Sequence, residues 1–511
     1  MPRITIRDVG KYGIIDDLPP HELPPEAWSA GDGIRFMDTF VEASFGEIEE
    51  VYGTFTAQPY KVAHAPTSDG SSYWAYCGLE DIYVIVPAGP PASHTNITRT
   101  AGVYTGTAAD RWNVSWLNGI MIFNNGVDKP QLWSSVNSGI DLVDLTNWPA
   151  TWRAKVVRPF RNFLIAMDIT KSTTRYPTLV SWSHPADPGS APSSWDIANT
   201  TKLTGDFPLS QTSGAIVDCL GMRDANVIYK EDAVILQQFV GGQDIFAWRD
   251  ISLTAGLAAQ DCVVEFRPGY HVFLTKDSDI CVCNGQTVES VIDGKRRDAL
   301  KGIGWNYLNE SFVVAHPVEP EVWFFIGSAA NFSKRIFIWN WRTGAWAEGA
   351  TGVTYIDAVR GQYQETTAVA RVQTVLGVRN AQTKGYRLAQ QGLVNSWLWR
   401  DGLALIGQNR DGSLRVDYNK HKVVTEIWPM LEAPPGTAFY ITIDATDDNR
   451  ALSNRASPNA QEFLFTAGTD TKIDCLVEGR FISIGFETAE AVSNWKLHGY
   501  SLELNVVGEY A

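Results

Sequence analysis

Apolar and polar residues alternate along most of this chain in short bursts of the four-to-eight-residue length typical of strands. A period of two marks β-strands with one face buried, and the bursts are filled with the aromatic and β-branched side chains that suit a pleated surface. The clearest unit runs from Arg111 to Gly126, through Trp112, Trp116, Ile120 and Phe123 to the turn Asn124-Asn125-Gly126. That turn has the positive-φ chemistry a hairpin needs. A second unit runs from Ile336 to Trp346, and looser copies span Ile228–Trp248 and His271–Val291. Further strand pairs are Tyr73–Cys77 with Ile82–Val86, joined around Gly78, and Phe163–Met167 with Leu179–Ser183. Turn-separated strands repeating every ~40–50 residues predict a β-propeller, here of about six blades.

The pattern divides the chain in three. Residues 1–53, broken by Pro19-Pro20, Pro24-Pro25 and Gly31-Asp32-Gly33, are expected to run extended over another part of the molecule. Residues 54–365 carry the propeller repeat. From 366 to 511 the rhythm changes. Strands such as Ala438–Ile443, Phe463–Phe465, Phe481–Phe486 and Tyr500–Leu504 predict a C-terminal β-sandwich-like domain that folds on its own. Helical signals are confined to Glu26–Ala30 and Arg297–Gly302, with Ala358–Gln364 ambiguous. The fold class is all-β.

Composition narrows the function. With 44% hydrophobic residues, 19 Trp and only 19% charged residues, the chain has ample material for cores and none of the bias of a disordered one. Its formal net charge is −15, and Lys295-Arg296-Arg297 is too short a basic run to grip nucleic acid. The acidity serves solubility, or a surface that must let a polyanion pass. The six cysteines sit in apolar strand contexts and read as reduced; Cys281 and Cys283 share a strand face without the spacing of a zinc site. The N-terminus has no apolar signal core and no run reaches 18 apolar residues, so neither secretion by the usual route nor a membrane span is expected.

No motif for hydrolysis, metal or phosphate binding stands out: Gly-x-Ser-x-Gly, His-Glu-x-x-His and the phosphate-cradling loop are all missing. No catalytic residue, cofactor or metal is expected. His184-Pro185 and His316-Pro317 read as turn residues. Lys276–Asp279 reads as a polar hairpin turn. The stretch Thr67–Trp74 approaches the sialidase turn Ser-x-Asp-x-Gly-x-x-Trp, but its glycine comes one place early. The acidic run holding Asp444, Asp447, Asp448 and Asn449 lacks calcium-loop spacing and reads as a solvated loop, facing a channel or a neighbouring subunit.

Three stretches together resemble the tail nozzle, or DNA-stabilisation, proteins of short-tailed bacteriophages. They are Gly13–Asp17 through Leu23–Trp28 to Gly33–Asp38, Leu117–Gly119 to Asp128–Trp133, and Glu478–Ile484 to Trp495–Tyr500. The run Phe36–Phe40 departs from the pattern, which more usually has a glycine turn there. The resemblance implies a structural, non-enzymatic virion protein made in the bacterial host cytoplasm. It would form a ring, a hexamer, at the distal end of a stubby tail, docked to portal or adaptor proteins and beside fibres or spikes. Its role would be to retain packaged double-stranded DNA and form part of the ejection channel, without sequence-specific binding. Three other readings remain open: a carbohydrate-binding host-adhesion propeller, with tryptophans exposed in a groove, a glycosidase-type propeller with paired carboxylates in its central cleft, and an unrelated cellular scaffold propeller.

Overall fold

The computed structural model describes residues 3–44, 49–66, 72–86, 92–136, 139–242, 244–349, 353–364, 370–388, 393–447, 459–492 and 494–509. Among these residues the chain forms seven four-stranded antiparallel sheets, one more than the repeat suggested. Six are built from consecutive strands, at 61–96, 113–144, 152–208, 216–252, 263–290 and 312–348; they are blades 1 to 6. In each of blades 2 to 6 the first strand touches the first strand of the next blade. Blade 1 meets blade 2 where the Trp116 indole donates to the His64 carbonyl, at 3.4 Å. Blade 7 closes the circle, its first strand Tyr355–Tyr363 lying against Lys61–Pro66 of blade 1. The protein is a β-propeller.

Blade 7 is the one the sequence concealed. Its first three strands are Tyr355–Tyr363, Val372–Arg379 and Gly385–Arg387, and its outermost strand is Glu49–Val51 from the other end of the chain, with Gly385 opposite Val51. The boundaries expected at 53/54 and 365/366 therefore both cut through this sheet. Ala358–Gln364, ambiguous in sequence, falls almost wholly in its first strand. Borrowing a distant strand pairs an otherwise exposed sheet edge and ties the ring shut.

The remaining strands form two facing sheets. One runs Ala30–Asp32, Trp397–Leu403, Phe481–Thr488, Ala438–Thr446, Gln461–Thr466. The other runs Ile34–Phe36, Val41–Ala43, Lys496–Glu509, Lys420–Glu432, Ile473–Gly479, with Arg3–Arg7 also on Lys496–Glu509. The sandwich expected from 366 onward thus takes four strands from the first 44 residues. One hydrophobic core joins Ile4, Trp28, Ile34 and Val41 to Ile441, Ile484 and Leu502, and continues into Trp323, Phe325 and Tyr355 of the propeller.

Between the two parts the N-terminal segment acts as a clamp. Ile14 N–H donates to the Trp346 carbonyl at 2.8 Å, and the Asn340 side chain donates to the Phe36 carbonyl at 3.0 Å. Asp16 pairs with Arg296 at 3.0 Å, while the Asp17 carboxylate accepts the backbone N–H of Arg297 and Asp298. Gly13 is required for this approach: its φ is +71°, and a Cβ there would sit 2.5 Å from the Trp346 nitrogen. Among the described residues helix is limited to Arg297–Lys301, with short 3-10 turns at Pro20–Glu22 and Trp305–Glu310. The turn expected at Glu26–Ala30 falls instead on the prolines before it. No helix among the described residues is long and apolar enough to cross a membrane.

Candidate functional site

A propeller places the starts of its innermost strands around one end of the axis, and here those positions are charged. Lys61 opens blade 1, Arg158 lies in the first strand of blade 3, Asp218 in that of blade 4, and Asp357 in that of blade 7; Asp261 immediately precedes blade 5. The Lys61 ammonium lies 2.9 Å from Asp261 and 3.2 Å from Asp357. Arg158 grips Asp218 with two parallel bonds of 2.9 Å and reaches Asp261 at 3.0 Å. Arg158 also donates to the Val114 carbonyl of blade 2, and Arg111 to the Ser311 carbonyl ahead of blade 6. All seven blades are thereby tied to one buried cluster.

Blades 1 and 5 lie across the ring from one another, so the Lys61–Asp261 contact spans the axis. Burial opposes ionisation of Asp261, yet Lys61, Arg158 and Arg111 overcome it and hold its carboxyl well below the usual carboxylate range. Burial raises Asp357, which Lys61 only partly offsets. Burial also works against the Arg158 charge, but Asp218 and Asp261 fix it as a cation. These groups neutralise one another and close the axis. Sequence reading missed them: each charge lies in or just before the first strand of blades 1, 3, 4, 5 and 7, where other charges such as Arg153, Lys155, Glu265 and Arg360 stand beside it.

The residues singled out from the sequence do not converge. Asp444 is not in a loop: it lies within Ala438–Thr446, 2% exposed, its carboxylate accepting the Ala445 N–H. Asp447 follows the strand and pairs with His421 at 3.2 Å. Asp448 and Asn449 lie outside the described residues, as does most of the sialidase-like turn, 67–71. Lys276–Asp279 forms the hairpin between Tyr270–Leu274 and Ile280–Cys283. The His316 Nδ1 accepts the backbone N–H of Val318 and Glu319 within its turn, and the His184 Nδ1 accepts that of Leu203 in a separate stretch of loop. All six cysteines are free thiols, five of them buried. No group of three or more His, Cys, Asp or Glu is placed to hold a metal ion among the described residues.

Most of the described tryptophans are buried, and the rest are half-buried. Trp74, Trp133, Trp323 and Trp346 are fully enclosed, and no tryptophan is among the exposed large hydrophobic side chains of the described residues. Some fill the seams between sheets, as with Trp339 of blade 6 against Phe266 of blade 5 at 5.3 Å.

No family model and no curated protein matches this sequence. Solved structures with a similar course of chain include a fungal alcohol oxidase of the AA5 family in complex with copper, 11% identical at a TM-score of 0.39, covering 89% of this chain and 98% of that one. Hsv2p of Kluyveromyces lactis is 8% identical at 0.33, covering 70% and 97%. YCF48 of Cyanidioschyzon merolae is 9% identical at 0.40, covering 66% and 98%. Likenesses this distant carry no argument about what this chain does.

Proposed function

We propose that the protein is a structural component of a short phage tail, a nozzle subunit that assembles as a ring of six, retains packaged DNA and lines part of its exit path. The observation that carries this reading is the sealed axis. With Lys61, Arg158, Asp218, Asp261 and Asp357 bonded across it, the axis is bridged, and a duplex whose major groove alone is ~12 Å wide has no passage through it. A conduit must then run between copies, which is what a ring supplies. The mostly buried tryptophans favour masonry over a sugar-binding groove, and the axial carboxylates are engaged with cations rather than poised as a catalytic pair. A net charge of −15 suits a wall past which DNA phosphates slide.

Portal or adaptor proteins would supply the docking platform, with fibres or spikes attached around it. Negative-stain imaging tests the reading, with the purified chain at several concentrations and then mixed with its adaptor ring. Closed rings with an open centre are expected in at least the second sample. Single particles in both would sink it.

A further inference from the structure

The sandwich sheet that holds both chain ends runs Arg3–Arg7, Lys496–Glu509, Lys420–Glu432, Ile473–Gly479, so its first and last strands are edges on opposite sides of the domain. At each edge a glutamine side chain stands where a further strand would bond. Gln461 donates its Nε2 to the Leu476 carbonyl at 2.7 Å and accepts the Leu476 N–H at 3.3 Å. Gln408 accepts the Thr5 N–H at 3.2 Å and donates to the Thr5 carbonyl at 3.4 Å. It belongs to the hairpin Leu405–Gln408 with Leu414–Val416, which lies against Arg3–Arg7 as the outer lip of that edge. Such edges pair readily with another chain unless charge or a covering element prevents it.

The two edges carry opposite charge. On the Ile473–Gly479 side Glu462, Asp474 and Glu478 are exposed, beside Leu464 and Leu476 at 58% and 67% exposure. Lys472 engages Asp474 at 2.8 Å, while Glu462 and Glu478 have no cationic partner among the described residues. A groove of about 490 Å³ runs along this edge between Gln461, Leu476 and Glu478. On the hairpin side Arg3, Arg7, Arg410 and Arg415 are exposed, none paired with an acid among the described residues, and Val416 is 44% exposed. Of the acids among them, Asp8 and Asp411, the second is turned to Ser413, accepting its N–H at 2.9 Å and its hydroxyl at 2.7 Å. Four arginines against two acids make a positive edge on a chain whose net charge is −15. An acidic apolar edge does not fit itself; it fits the basic apolar edge on the far side of another copy. Contacts of that head-to-tail kind are the ones that build rings.

We propose that copies of this chain join head to tail through the sandwich, the acidic edge around Glu462 and Glu478 of one copy seated on the arginine-bearing hairpin of the next, with the exposed leucines and Val416 covered between them. This contact rests on the ring reading above and names the surfaces that would build it. The test is a charge swap in the full chain, read by sedimentation velocity over a concentration series and by imaging on the adaptor ring. Glu462→Lys with Glu478→Lys, and separately Arg410→Glu with Arg415→Glu, are each expected to weaken association about tenfold or more. All four positions are exposed, so the thermal midpoints stay at the parent value and lost association cannot be ascribed to unfolding. Mixing the two variants one to one, or placing all four substitutions in one chain, puts opposite charges back in contact and is expected to restore association. Unchanged association in either double variant, or no recovery in the mixture, would overturn the proposal. Closed rings indifferent to the substitutions sink this contact and leave the ring standing. Pairs or open strings that obey the charge swap keep the contact and sink the ring, and single particles throughout sink both.

Discussion

In blades 1 to 6 every strand pairs with the strand next to it in sequence, so each sheet is complete within a few dozen residues. In the sandwich the strand Lys496–Glu509 pairs with Arg3–Arg7, with Val41–Ala43 and with Lys420–Glu432. The first arrangement puts its cost into joining finished units around an axis. The second puts its cost into bringing the two ends of the chain together, and loop-closure entropy is charged before any contact rewards it. The contents differ in the same way: a charged cluster fixes the ring's centre, whereas the sandwich centre is apolar, with Ile441, Ile443, Ile484 and Leu502 buried.

The largest test of this contrast is deletion of residues 1–44. It removes four sandwich strands and Trp28 while leaving Glu49–Val51 for blade 7. The sandwich is expected to lose its fold altogether, with limited proteolysis degrading 393–511 and sparing the propeller. A protease-resistant fragment from 393 onward in the deletion variant would break the comparison.

Next comes Asp261→Asn, which leaves Lys61 and Arg158 buried against a neutral amide. Removing one member of such a cluster is expected to cost ~3–5 kcal/mol, read as a lower urea midpoint. Asp447→Asn at the exposed end of a sandwich strand is the control, expected within ~0.5 kcal/mol of the parent.

The third test is pH. His271 is fully buried in blade 5, bonded to the Tyr229 hydroxyl at 2.9 Å and the Gly221 carbonyl at 3.0 Å, and burial lowers its pKa to about 4. In the unfolded chain the ring titrates near its ordinary 6.5. Between these values the unfolded state binds more protons, so stability falls as pH drops from 6.5 towards 4, by up to ~3 kcal/mol. Chemical denaturation across that range should show the loss, and His271→Asn should reduce it, leaving the similar contribution of His64, whose pKa burial also lowers to about 4.

What was legible in the sequence follows the same division. Hairpins such as Asn113–Leu117 with Ile120–Asn124 carry their alternation and their turn, Asn118-Gly119, in one short stretch. Glu49–Val51 and Ala30–Asp32 are three residues each, with no periodicity of their own; they are strands only because partners hundreds of positions away make them so. For that reason the N-terminal segment read as a strap, blade 7 was divided and the sandwich appeared self-sufficient. The axial cluster was hidden for another reason. Its members lie in five different blades, and each charge alone looks like an ordinary strand terminus. Asp444 misled in the opposite direction: three acids in five positions suggest solvent, but strand pairing carries the first of them inside.

The position of Lys496–Glu509 as the shared neighbour of both chain ends has a consequence for how the protein is made. A ribosome can release several blades one after another, each able to zip as it emerges. Arg3–Arg7 and Val41–Ala43 must wait without their partner until Lys496–Glu509 has been made. A chain lacking Lys496–Glu509 would carry a propeller with an unfinished companion, its apolar surfaces bare to the cell.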